Sequence, residues 1–162
     1  MEIKLSIIAA MAKNRVIGKE GHIPWYFPED LKRFKALTLG NVVIMGRPTF
    51  ESLPFEFRPL PDRTNVVLTN NPKFYAPAGV YKAHSIEEAL DIGRSHQETY
   101  FIGGGKVYEQ ALPLVSRLEL TEIHTDYEGD VYFPKWNREE WDELQRIKND
   151  GFDFVTYMRK GK

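Results

Sequence analysis

Asp30 is the first residue whose type and setting suggest chemistry, because it closes the run Pro24-Trp25-Tyr26-Phe27-Pro28-Glu29-Asp30. A carboxylate on the first turn of a helix is ordinarily a solvated group favoured by the helix dipole. Here Leu31 and Phe34 occupy the adjoining face. The carboxylate is therefore expected to look into an apolar cleft, where it pairs best with a cationic or amidine-like ligand.

Two further segments could bind anions. In Tyr100-Phe101-Ile102-Gly103-Gly104-Gly105-Lys106-Val107-Tyr108, a strand runs through three glycines into a helix. Glycines let a ligand approach the backbone closely, and amides at a helix start then face an anion such as a pyrophosphate. The segment departs from the G-x-G-x-x-G fingerprint, since Tyr108 stands where the last glycine would be. A plain strand-to-helix turn is the competing reading. Met45-Gly46-Arg47-Pro48-Thr49 repeats the arrangement, and its guanidinium and hydroxyl could take phosphate groups of the same ligand.

These residues need elements to hold them. Residues 3–11 form a short apolar run that reads as a central strand buried on both faces. Residues 12–27, with two glycines and a proline, form a loop long enough to suggest a functional flap. Pro28 suits the first helical position, Leu31, Phe34 and Leu37 follow at helical spacing, and Gly40 ends the helix. Residues 41–46 and 64–69 read as strands, 48–53 as a helical turn, 54–61 as a proline-rich stretch and 79–83 as a further short strand. Ser85 and Glu88 make a capping box for a helix through Ile86, Ala89, Leu90 and Ile92. Residues 100–102 lead through the glycines to a helix over 106–112, and 118–125 and 152–159 are strands separated by an acidic, aromatic loop region. Strands alternating with helices predict the α/β class: a mostly parallel twisted sheet with flanking helices and an antiparallel C-terminal strand.

With 162 residues, no repeat and no linker-like composition, the chain reads as a single domain over 1–162. Its formal net charge of −1 carries no basic field of the kind that nucleic acid or an acidic membrane requires. The absence of cysteine removes disulfides, thiolate metal sites and cysteine nucleophiles, and no metal site is expected. The N-terminus lacks a signal-peptide pattern and no apolar run reaches membrane-spanning length, so a cytoplasmic protein is expected. Hydrolase motifs are missing, and His22, His84, His96 and His124 are unclustered in sequence.

Ile8-Ala9-Ala10, Ile17-Gly18, Pro24-Trp25 with Asp30, Met45-Gly46-Arg47-Pro48-Thr49 and Ile102-Gly103-Gly104-Gly105 occur in the order and spacing of dihydrofolate reductases. Thr121, Glu128-Gly129-Asp130 and Phe133-Pro134 extend the match, which covers essentially the whole chain. The chain thus resembles that family. The resemblance implies reduction of 7,8-dihydrofolate to 5,6,7,8-tetrahydrofolate with NADPH as cofactor, by hydride transfer to C6 and protonation at N5. It also implies a monomeric, cytoplasmic enzyme of one-carbon metabolism and an antifolate target.

By that resemblance, Asp30 holds the 2-amino and N3 side of the pterin, Thr121 shares its hydrogen-bond network, and Trp25 roofs the site over a water. Ile8, Leu31, Phe34 and Ile102 line the pterin pocket, Leu53 flanks the aminobenzoyl ring, and Arg63 pairs with the substrate's α-carboxylate. Ala10, Ile17, Gly18 and Tyr108 lie by the nicotinamide. Arg47 reads the 2′-phosphate, with Gly46, Thr49, Thr69, Gly103, Gly104, Gly105, Lys106 and Val107 around the cofactor phosphates. A cis peptide is implied between Gly103 and Gly104. Ile23 at the flap tip, Lys106, Thr69-Asn70 and the long segment 54–59 depart from many bacterial relatives, while Asp130 is placed to hold the flap near Gly18. Two rival readings are a same-fold NADPH reductase of riboflavin synthesis and a non-catalytic dinucleotide-binding module. Asp30 and Arg63 argue against the first, and Asp30 with its apolar neighbours against the second.

Overall fold

The computed structural model describes residues 4–94 and 98–161, so Ile3 and His96 lie outside the described residues. In chain order the elements are β1 (Lys4–Met11), β2 (Val16–Gly18), α1 (Pro28–Thr38), β3 (Val42–Gly46), α2 (Arg47–Ser52), β4 (Thr64–Leu68), β5 (Val80–Ala83) and α3 (Ile86–Ile92). There follow β6 (Glu98–Phe101), α4 (Gly105–Ala111), β7 (Arg117–Ile123), β8 (Val131–Tyr132), β9 (Trp141–Lys148) and β10 (Phe152–Arg159).

Eight strands form one sheet in the order β5-β4-β3-β6-β1-β7-β10-β9. The pairs from β5 to β7 are parallel, and β10 runs antiparallel to both β7 and β9. Strands buried on both faces carry apolar residues at successive positions, and alternation then divides them between two cores. Ile7, Ala9, Ile44, Val66 and Phe101 pack with α3 and α4 residues such as Ala89, Val107 and Ala111. Ile8, Val43, Met45, Val67 and Tyr100 pack on the other face with Phe34 and Leu37 of α1 and Phe50 of α2.

The sheet departs from the sequence reading at β9, which lies inside the expected acidic loop region. Its apolar residues Trp141, Leu144 and Ile147 recur every third position, which masks a strand. Only Trp141 is buried, because β9 is an edge strand and pairs on one side alone. Within α3 the cap also differs in detail. Ser85 Oγ accepts from the Glu88 amide at 3.1 Å as expected, but the Glu88 carboxylate reaches past the cap to the His84 amide, also at 3.1 Å.

The long flap is held by a second, two-stranded sheet of β2 and β8. The Asp130 amide donates to the Gly18 carbonyl at 3.0 Å. The Asp130 carboxylate accepts from the Glu20 amide at 3.2 and 3.3 Å, which is the contact expected near Gly18. Gly129 sits where these strands cross, and a Cβ there would collide with Val16 and stand 2.6 Å from the Gly18 carbonyl oxygen. Gly129→Ala is therefore expected to destabilise the protein by about 1–3 kcal/mol through overpacking. It should also expose residues 12–27 to limited proteolysis. A melting temperature and cleavage pattern equal to the parent's would contradict this.

Candidate active site

Parallel strands present their carboxyl ends on one side of a sheet, and clefts form there between connections that depart to opposite faces. In this chain β1, β3 and β6 end together, with the Ile102 amide donating to Ile44 O at 2.9 Å and the Gly46 amide to Gly103 O at 2.8 Å. α1 and α2 cover one face and α4 the other, so the cleft opens between α1 and the glycine turn.

Asp30 faces this cleft from the first turn of α1. Pro28 at the helix start needs no amide partner, and the inward positions that follow are Arg33, Phe34 and Leu37. The buried Thr121 hydroxyl donates to Asp30 Oδ1 at 2.5 Å from β7, where Thr121 lies opposite Ala10. Burial pushes the Asp30 carboxyl above its ordinary range, partly countered by the Thr121 hydrogen bond and the Arg33 charge. A cavity of about 220 Å³ adjoins it, lined by Ile23, Trp25, Tyr26, Phe27, Asp30 and Leu31. Leu31 is 55% exposed, so it walls the open side of this cavity rather than the core.

The other expected substrate-site residues converge on the same region. Ile8 belongs to the core cluster on the α1 face, against which Phe34, Leu53 and Ile102 pack. Arg63 stands at the far end, its Nε donating to Pro61 O at 2.8 Å and Nη1 to Thr38 Oγ1 at 3.2 Å. Trp25 packs edge-on against Tyr127, with ring centroids 5.1 Å apart.

Across the cleft, the Gly103–Gly104 peptide is cis, as the resemblance implies. Gly103 has φ +112°, and a Cβ there would stand 3.1 Å from the Tyr108 ring. The buried Tyr108 hydroxyl donates to Ile8 O at 2.8 Å, and burial together with the nearby Asp30 charge raises its pKa further from neutrality. A Cβ on Gly104 would approach Thr49 Oγ1 to 3.5 Å, so the two glycine-containing turns meet in space. That narrow cradle of glycine backbone and the Thr49 hydroxyl fits a dinucleotide pyrophosphate, which must lie against backbone.

Arg47 Nε pairs with Glu51 at 2.9 Å, and its guanidinium lies 5.5 Å from the Phe74 ring centroid. The Thr69 hydroxyl accepts from the Asn71 amide at 3.2 Å, and Lys106 is exposed. Ala10, Ile17, Gly18 and Gly105 are half-buried near the strand ends. Val107 differs from the rest, because its side chain is buried in the core behind Gly46 and leaves only its backbone for a ligand.

Sequence reasoning missed Arg33, whose Nη2 donates to the buried Glu119 carboxylate at 2.9 Å. Its place three residues after Asp30, among apolar inward positions, was the available signal.

The fold, the buried carboxylate and the glycine cradle together define an α/β cofactor-dependent reductase site. The dihydrofolate reductase family model matches residues 4–159. Dihydrofolate reductase type 3 of Salmonella typhimurium is 46% identical over 94% of this chain and 92% of its own length. Dihydrofolate reductase HdrB of Haloferax volcanii is 42% identical over 98% of this chain and 84% of its own length. Among solved structures, dihydrofolate reductase from Enterococcus faecalis, complexed with NADP(H) and RAB-propyl, superimposes with a TM-score of 0.86 at 38% identity, covering 97% of this chain and 96% of its own. The chain belongs to the dihydrofolate reductase family.

The raised Asp30 carboxyl has a consequence for folding. Its ionised form is disfavoured in the folded state, so stability present in acid is lost as pH rises from the ordinary carboxyl range through the higher folded-state value. Asp30→Asn should accordingly melt above the parent at neutral pH, with an advantage that shrinks on acidification. Equal melting temperatures across that pH series would refute the claim that Asp30 is held at a cost.

Proposed function

We propose that the protein reduces 7,8-dihydrofolate to 5,6,7,8-tetrahydrofolate at this cleft. Asp30 carries the reading, because a half-buried carboxylate tied to Thr121 beside an apolar cavity suits a flat, amidine-bearing ring. Its oxygens accept hydrogen bonds from the pterin 2-amino group and N3 side, with Thr121 keeping the carboxylate oriented. Ile8, Leu31, Phe34 and Ile102 enclose the pterin, Leu53 the aminobenzoyl ring, and Arg63 takes the α-carboxylate bidentately.

NADPH supplies the hydride that C6 receives when it is bound in the cradle. Gly46, Thr49, Gly103, Gly104, Gly105, Lys106 and the Val107 backbone hold its phosphates, Arg47 and Thr69 its adenosine end, and Ala10, Ile17, Gly18 and Tyr108 its nicotinamide. To reach the 2′-phosphate, Arg47 exchanges its Glu51 partner for the ligand.

The Asp30 charge favours the N5-protonated pterin, which makes C6 a better hydride acceptor. Asp30 binds the opposite edge of the ring from N5, so the proton arrives from water under Trp25, admitted when the flap moves. One hydride and one proton are added, and the N5=C6 bond becomes single. The protein acts as a single-domain, cytoplasmic monomer in one-carbon metabolism.

Purified protein mixed with NADPH and dihydrofolate should consume reduced nicotinamide, and Asp30→Asn should slow turnover about 10²-fold or more at neutral pH. The deficit should narrow in acid, where substrate arrives already protonated. Tight NADPH binding without turnover by the parent would overturn the assignment.

A further inference from the structure

Beside the half-buried Asp30, a second and fully buried carboxylate stands at the α1–β7 contact. Glu119 precedes Thr121 by two residues on the same face of β7, and its side chain is only 4% exposed. It is enclosed by three donors from three elements. Arg33 Nη2 of α1 lies at 2.9 Å and Thr156 Oγ1 of β10 at 2.5 Å, while Arg117 Nη1 of β7 stands 3.6 Å from its second oxygen. The Arg33 guanidinium is itself fixed, with 16% side-chain exposure and its carbon 4.7 Å from the Phe154 ring centroid.

Helix and strand are thus cross-linked twice. Thr121 bonds Asp30, and Glu119 bonds Arg33 one turn later. Three helical residues advance about 4.5 Å, and two strand residues about 6.7 Å. Both links can therefore be made only when the first turn of α1 docks in one orientation. We propose that the Arg33–Glu119 pair is a positioning device for the reaction centre, fixing the Asp30 carboxylate against Thr121 and holding a compensated cation one helical turn behind it. This deepens the dihydrofolate reading and rests on it for its catalytic meaning.

The groups acting on Asp30 are Arg33 on its own helix and Thr121 on β7, with Glu119 held behind Arg33; the Tyr108 phenol of α4 feels the Asp30 charge and stays neutral through the physiological range. Arg33 is the cation that lowers the proton affinity of Asp30, and Glu119, paired with that guanidinium at 2.9 Å, offsets its charge. Removing either charge should move the site in opposite directions, which a merely structural pair would not do.

The test follows the Asp30 carboxyl carbon by NMR in isotope-labelled, ligand-free protein, with Asp30→Asn to assign the signal. Arg33→Met should raise its midpoint by about half a pH unit or more. Glu119→Gln, which keeps the shape and the Thr156 and Arg33 partners, should lower it. The double variant should fall between the two, and Arg33→Lys should return toward the parent.

In turnover assays, the fall in rate as pH rises should shift to higher pH in Arg33→Met and to lower pH in Glu119→Gln. Unchanged carboxyl midpoints in both single variants, or shifts of the same sign, would overturn the proposal. If Arg33→Met fails to fold, the downward shift in Glu119→Gln still decides. The ligand-free titration needs no substrate, so failure of the dihydrofolate assignment would appear only in the turnover assay.

Discussion

A carboxylate taken out of water is costly unless its oxygens find partners, and the architecture around Asp30 answers that cost. One oxygen receives the Thr121 hydroxyl, a cation stands one helical turn away, and the surrounding surface is apolar. Those partners come from a helix and from a strand remote in sequence. The carboxylate is therefore well placed only after α1 has docked on β7, which makes the site a product of tertiary packing rather than of local sequence.

The same dependence shapes the opposite wall. At the end of β3 and just past that of β6, the Gly46 amide bonds Gly103 O, and a Cβ on Gly103 would stand 3.1 Å from the Tyr108 ring. Tyr108 closes this wall from behind, with its hydroxyl on the Ile8 carbonyl. That bond ties α4 to β1 across the cleft floor. Substrate and cofactor walls are consequently fastened to two neighbouring strands, β7 and β1, which limits how far they can drift apart.

Much of this could be read from residue order. The strands buried on both faces announce themselves as apolar runs, and Pro28, Gly40 and the Ser85 cap bound their helices within a residue or two. Asp30 and the glycine turns also follow from motif spacing, and the Asp130 contact from the family resemblance. β9 could not be read this way, because an edge strand with one buried side chain has no alternating pattern to display. The Arg33–Glu119 pair is legible only in half: the inward place of Arg33 on α1 signals a buried partner, but Glu119 lies 86 positions further along the chain and no local pattern joins them. Val107 shows the converse: a motif neighbour whose side chain serves the core.

The edge strand β9 also bears on what the sheet can join. Along β9, Arg146 is engaged by Glu122, Glu143 and Asp153, Arg138 pairs with Glu143, and Lys160 with Asp142. An incoming foreign strand seeking the free backbone groups of that border would have to displace or desolvate these ions. Leu144 and Ile147 lie among them, too dispersed to form a sticky seam. Charges along the border thus raise the cost of templated growth at this end of the sheet.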